Sequence, residues 1–129
     1  MPDHVQYYLV DNTLGMRKGK VGAQCAHGAL LADRLYQRLQ NISLLDQMPT
    51  KRKIASERYL TWFRGEMKKI VLKGNPEILA KAISEYVRMT AVVIDNGHTE
   101  IPAGSMTVVV LPIMDKTNAP DWLKELKPL

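Results

Sequence analysis

"VQYYLVDNTLGMRKGKVGAQCAHGALLA", residues 5–32, decides the fold. Its first six residues are mostly β-branched or aromatic and run into Asp11-Asn12, a turn-forming pair, which predicts a strand over 5–10. Asn12 and Gly15 suit a loop over 11–18. From about residue 19 the apolar period changes. Val21, Cys25, Gly28, Ala32, Leu35 and Leu39 recur at steps of three and four, which predicts a helix to about residue 40. A strand that passes through a short loop into a long helix is the opening of an α/β layer fold. Three cations, Arg17, Lys18 and Lys20, crowd the helix start. Positive charge there opposes the helix dipole, so the arrangement calls for an anionic partner.

The same alternation continues outward. Residues 41–50 form a connection ending at Pro49-Thr50, and a second helix is expected over 51–64 with Gly65 as its stop. KIVLK, residues 69–73, is a short strand. Asn75-Pro76 supplies an N-cap and a proline in the first turn for a helix to about residue 88. TAVVI at 90–94 and TVVVL at 107–111 are strands separated by a Gly/Pro/Asn-containing loop, and residues 121–126 suit a short closing helix. The order β-α-α-β-α-β-β-α, with near-continuous apolar strands, predicts a three-layer α/β/α fold. Its sheet is expected to be small, mixed, mostly parallel and four-stranded. The length of 129 residues fits one domain over 1–129.

No apolar run approaches the roughly 20 residues that cross a bilayer, so no membrane partner is expected. The N-terminal MPDHVQYYLV lacks the features of a signal peptide. The lone Cys25 excludes an intrachain disulfide, and the expected compartment is cytoplasmic. Net charge is +5, with an isoelectric point near 9.4. Residues 1–40 carry five Lys/Arg against three Asp/Glu, residues 41–74 eight against three, and residues 75–129 five against seven. A one-sided basic surface suits a polyanion such as nucleic acid, and it equally suits a solvated face.

Several site chemistries fail on spacing. A P-loop needs four residues between its glycines and a hydroxyl after the lysine. Here three residues separate Gly15 from Gly19, and Val21 follows Lys20. His4, His27 and His98 lack zinc-ligand spacing, and a Cys25/His27 nucleophile pair sits at i, i+2, which do not face each other on a helix. Cys25 lies on the apolar stripe and reads as a small core residue. Lys20, Gln24, His27 and Leu31 form a separate helical stripe that could line a site or be an exposed polar face. The small residues Gly22, Gly28 and their alanine neighbours point to close helix-on-sheet packing.

In "VVIDNGHTEIPAGSMTVVV", residues 92–110, Asp95 stands at a strand's carboxyl end, where α/β proteins bind ligands. Asp-Asn-Gly is also an ordinary turn, and both readings stand from the residues alone. Thr99, Ser105 and Thr107 add hydroxyls, and Glu100 is a weaker carboxylate candidate. In residues 50–69, cations that include Arg52 and Arg58 interleave with Tyr59, Trp62 and Phe63. The pattern predicts a helix with buried aromatics and an outward basic patch suited to a nucleic-acid backbone.

Together the two signatures resemble the type-2 peptidyl-tRNA hydrolases. The family pattern L-x-M-x-x-G-K-x-A-A-Q-x-x-H-A is matched by Leu14, Met16, Gly19, Lys20, Ala23, Gln24 and His27, with Gly22 and Gly28 in place of alanines. The pattern D-A-G-x-T-Q-I-x-P-G-(S/T)-x-T-V is matched by Asp95, Gly97, Thr99, Ile101, Gly104, Ser105, Thr107 and Val108. Asn96 and Glu100 depart from it. The resemblance implies hydrolysis of the ester between a peptide and the terminal ribose of tRNA, without metal or organic cofactor. It gives Lys20 the stabilisation of negative charge, Asp95 the orientation or activation of water, and Thr99 a hydrogen bond in the same site. Arg17, Lys18, Gln24 and His27 would line the tRNA side, and the charge excess of residues 41–74, outside the resemblance, adds Arg52 and Arg58 as expected RNA contacts. The expected partner is peptidyl-tRNA; a homodimer stays open. The rival reading is a non-catalytic RNA-binding member of the same fold.

Overall fold

The computed structural model describes residues 2–43, 50–97 and 101–129. Strand β1 (His4–Asp11) runs through a 3-10 turn at Asn12–Leu14 into helix α1 (Lys18–Ser43). Helix α2 (Thr50–Arg64), strand β2 (Lys69–Gly74), helix α3 (Pro76–Glu85) and strands β3 (Ala91–Ile94) and β4 (Met106–Val110) follow. A two-residue strand β5 (Met114–Asp115) and the short helix α4 (Asp121–Lys124) close the order. The Asn75 side chain accepts from the Ile78 amide at 2.8 Å, the expected cap of α3. That helix ends at Glu85 rather than near residue 88, because Arg88 adopts a left-handed φ of 65° that turns the chain into β3.

The α/β layering is as expected, with five strands rather than four. The main sheet order is β2-β1-β4-β3, with β5 paired to β1. β1 pairs parallel to β2 but antiparallel to β4, and β4 antiparallel to β3. The expectation of a mostly parallel sheet needs correcting at this point. β1, β2 and β3 do run in one direction, but β4 inserts between β1 and β3, so most ladders are antiparallel. The reason is the connection: only residues 95–105 separate β3 from β4, fewer than the dozen or so that a parallel crossover needs, so the chain returns antiparallel. β5 and the run of residues 127–129 along β2 carry no periodicity. Lys73 donates to the Lys127 carbonyl at 2.8 Å and Leu129 to that of Val71 at 3.0 Å, covering the edge of β2.

Both sheet faces are buried. β1 sends Val5, Tyr7 and Leu9 to the face where Leu79, Ala82 and Leu123 pack. It sends Tyr8 and Val10 to the opposite face, against Ala32 of α1 and Val93, Val108 and Val110. α2 lies against the later half of α1, where the Tyr36 and Tyr59 rings stack at 4.5 Å. Among the described residues no helix is long and apolar enough to cross a membrane.

Gly28 lets α1 lie this close. A Cβ there would stand 2.8 Å from Val110 Cγ2 and 3.3 Å from Val93 Cγ2, whereas one at Gly22 meets nothing within 4 Å. Gly28→Val is therefore expected to lower stability by about 1–3 kcal/mol through overpacking. Urea unfolding beside Gly22→Val checks this, and equal midpoints for the two variants would contradict the packing account.

Candidate active site at the carboxyl ends of the strands

Helix α1 runs back over the sheet, antiparallel to β3. Tyr36 near its far end donates to the Met89 carbonyl just before β3, at 3.2 Å. Gly28 sits over Val93, and Gln24 Nε2 donates to Thr107 Oγ1 at 3.0 Å. This polarity carries the first turn of α1 to the carboxyl end of β3, where Asp95 follows Ile94. Lys20 Nζ donates to Asp95 Oδ1 at 2.5 Å. The Lys20 and Asp95 side chains are 13% and 6% exposed. The signatures that carry them are thus one site, separated in sequence and joined by the fold.

The loop holds the carboxylate from its other side. Gly97 donates its amide to Asp95 Oδ2 at 2.7 Å. Asp95 also donates its amide to the Ser105 carbonyl at 2.9 Å, and its carbonyl accepts from the Gly104 amide at 2.8 Å. Gly97 has a φ of 80°, and a Cβ on it would come within 2.5 Å of the Ala103 Cβ. Glycine is required there on both counts. The turn reading and the carboxylate reading of Asp-Asn-Gly therefore coincide: the turn is what aims the carboxylate. A register shift in the β3–β4 ladder pairs Val93 with Val108 but Ile94 with Met106. The extra residue, Thr107, is buried, accepts from Gln24 and donates to the Val93 carbonyl at 3.3 Å. Such a bulge re-aims the strand end. The sequence offers Thr107 as a hydroxyl near Asp95 but not as the tether of Gln24, and the glycine after Asp-Asn is its one sign of the Gly97 amide.

Arg17 and Lys18 are exposed at the start of α1, where Lys18 lines the groove on the flank that carries Cys25, and His27 is exposed two turns along α1 from Lys20. Gln24 belongs with the core: it is 7% exposed and braces α1 to β4 rather than facing solvent. Thr99, with His98 and Glu100, lies outside the described residues. Ser105 Oγ donates to the Pro102 carbonyl at 2.7 Å and so serves the loop. Arg52 and Arg58 are half-buried on α2. They are not brought to the pair: the Tyr36–Tyr59 stack fixes α2 roughly 24 Å from Lys20 along the α1 axis. Arg58 instead borders a separate cavity of about 340 Å³, shared with Lys51, Glu85 and Asp115. Cys25 lines a groove of about 590 Å³ on the other flank of α1, and burial pushes its thiol pKa up, away from a reactive thiolate.

The geometry provides a buried ammonium–carboxylate pair built from two groups that can each make several hydrogen bonds. An ammonium has three donors and a carboxylate about four lone-pair sites, so each can hold more than one partner. Against known proteins, the family model described as "Peptidyl-tRNA hydrolase PTH2" matches residues 4–129. "Peptidyl-tRNA hydrolase 2" of Saccharomyces cerevisiae is 38% identical over 117 residues, covering 86% of this chain and 51% of the yeast protein. "Peptidyl-tRNA hydrolase 2, mitochondrial" of Homo sapiens is 32% identical, covering 78% of this chain and 50% of the human protein. "Peptidyl-tRNA hydrolase" of Thermococcus onnurineus is 31% identical, covering 82% of this chain and 80% of the archaeal protein. The chain spans about half the length of these two eukaryotic relatives.

Proposed function

The chain belongs to the peptidyl-tRNA hydrolase PTH2 family, and from that premise we propose that it hydrolyses the ester between a peptide and the terminal ribose of tRNA, freeing the tRNA. The observation that carries this reading is the 2.5 Å Lys20–Asp95 pair at the carboxyl ends of the strands. Asp95, steadied by Lys20 and the Gly97 amide, orients a water and takes its proton as the water oxygen attacks the ester carbonyl. The remaining donors of Lys20 face the oxyanion that forms. As the carbon–oxygen bond breaks, Asp95 returns the proton it took to the leaving ribose oxygen, which restores the carboxylate. Thr99 adds its hydroxyl to the same site. Arg17, Lys18 and His27 line the RNA side with Gln24 bracing them, and Arg52 and Arg58 meet the RNA farther out. We place the reaction in the cytoplasm.

The test is incubation with an N-blocked aminoacyl-tRNA, scoring release of free tRNA. Release that requires Lys20 and Asp95 is the expected result. Tight tRNA binding without release would favour the non-catalytic reading instead.

A further inference from the structure

The helical stripe that begins at Lys20 does not stop at Leu31. Continued at the same steps, it reaches Arg34 and Arg38. A heptad step turns back by only about 20°, so Lys20, His27 and Arg34 stay on one line, with Arg38 a turn beyond. His27, Arg34 and Arg38 are all exposed. At about 1.5 Å of rise per residue, Arg34 and Arg38 stand roughly 21 and 27 Å from Lys20 along the axis. α1 contains a single acidic residue, Asp33, and it lies off this stripe. Its two oxygens accept from Tyr59 and Gln37. No ion pair among the described residues neutralises Arg34 or Arg38.

We infer that His27, Arg34 and Arg38 form a track for the RNA backbone, running from the Lys20–Asp95 site along the outer face of α1. The inference rests on the reading of the site as a tRNA esterase site. The scissile ester sits at the very end of the RNA, so every phosphate must leave the site in one direction. An exposed line of His27, Arg34 and Arg38 leading from the catalytic pair fits a polyanion anchored by its terminus. An acidic protein partner would have no reason to start at the pair. The track also spans the interval that separates the pair from Arg52 and Arg58. Arg34 and Arg38 are positioning residues, contributing to binding of the body of the RNA rather than to the chemical step.

The test compares full-length N-blocked aminoacyl-tRNA with the same ester on a 3′-terminal trinucleotide. In Arg34→Glu/Arg38→Glu, the ratio of kcat/KM on the long substrate to that on the short one is expected to fall on the order of tenfold, through KM. Arg34→Lys/Arg38→Lys should restore most of the ratio, since phosphate attraction survives without the guanidinium. The log–log salt dependence of binding to deacylated tRNA should become shallower by about 1.4 to 1.8 for two lost phosphate contacts. An unchanged ratio, whether both substrates are retained or both lost equally, overturns the track. So does an unchanged salt slope. Binding of deacylated tRNA tests the track even if the wild-type chain releases no tRNA from the long substrate, an outcome that would sink the esterase reading separately.

Discussion

Asp95→Asn is expected to slow ester cleavage by about 10²–10⁴-fold, the usual worth of a positioned general base, while affinity for tRNA stays near wild type. The asparagine has nearly the same size and the same preference for the turn at 95–97. It can still accept from the Gly97 amide through its one carbonyl oxygen. What it loses is the second acceptor, which receives Lys20 at 2.5 Å, and the basicity needed to draw a proton from water. Were Asp95 only a turn residue, asparagine would serve almost as well. Single-turnover cleavage with saturating enzyme separates the two, because it reads chemistry independently of product release. Near-normal cleavage by the variant would remove Asp95 from the mechanism.

Lys20→Met should be nearly as damaging, by about 10²–10³-fold in turnover, the scale for removing one donor from a developing oxyanion. It carries a second, thermodynamic signature. Asp95 is 6% exposed, so removing Lys20 leaves a buried carboxylate without its ammonium partner. Leaving such a charge underpaired costs about 3–5 kcal/mol, more than an unpaired neutral group. The Lys20→Met/Asp95→Asn double variant should recover much of that stability and none of the activity, because the buried charge is gone while both chemical groups are missing. Guanidinium unfolding of the three variants supplies the cycle. Additive losses in stability would mean that the two side chains do not act as a pair.

The features that were legible in the sequence are those encoded within a few residues. The strand at 5–10, the cap at Asn75-Pro76 and the apolar stripe of α1 are all local, and each element lies within a few residues of its expected span. The candidate site was legible as two signatures because glycine, lysine and aspartate there meet local demands as well as chemical ones. Gly97, for example, must be glycine for the turn whatever the turn is for.

What the tertiary structure alone decided is which local pieces meet. Strand direction and order belong to hydrogen-bonding partners that no window of sequence contains, so β4 could slip between β1 and β3 and turn an expected parallel sheet into a largely antiparallel one. The fifth strand, β5, has two residues and is too short to show any period. Charge composition placed Arg52 and Arg58 with the RNA-binding cations, but composition has no direction, and packing of α2 on the far half of α1 set them well away from the pair. Gln24 looked like a lining residue on its stripe until Thr107, exposed to it by a bulge, gave it a buried partner. By itself the sequence determined the elements and the chemistry each could carry. The packing of α1 across β3 and β4 decided that Lys20 and Asp95 form one site, because only long-range burial fixes which ends of two elements share a surface.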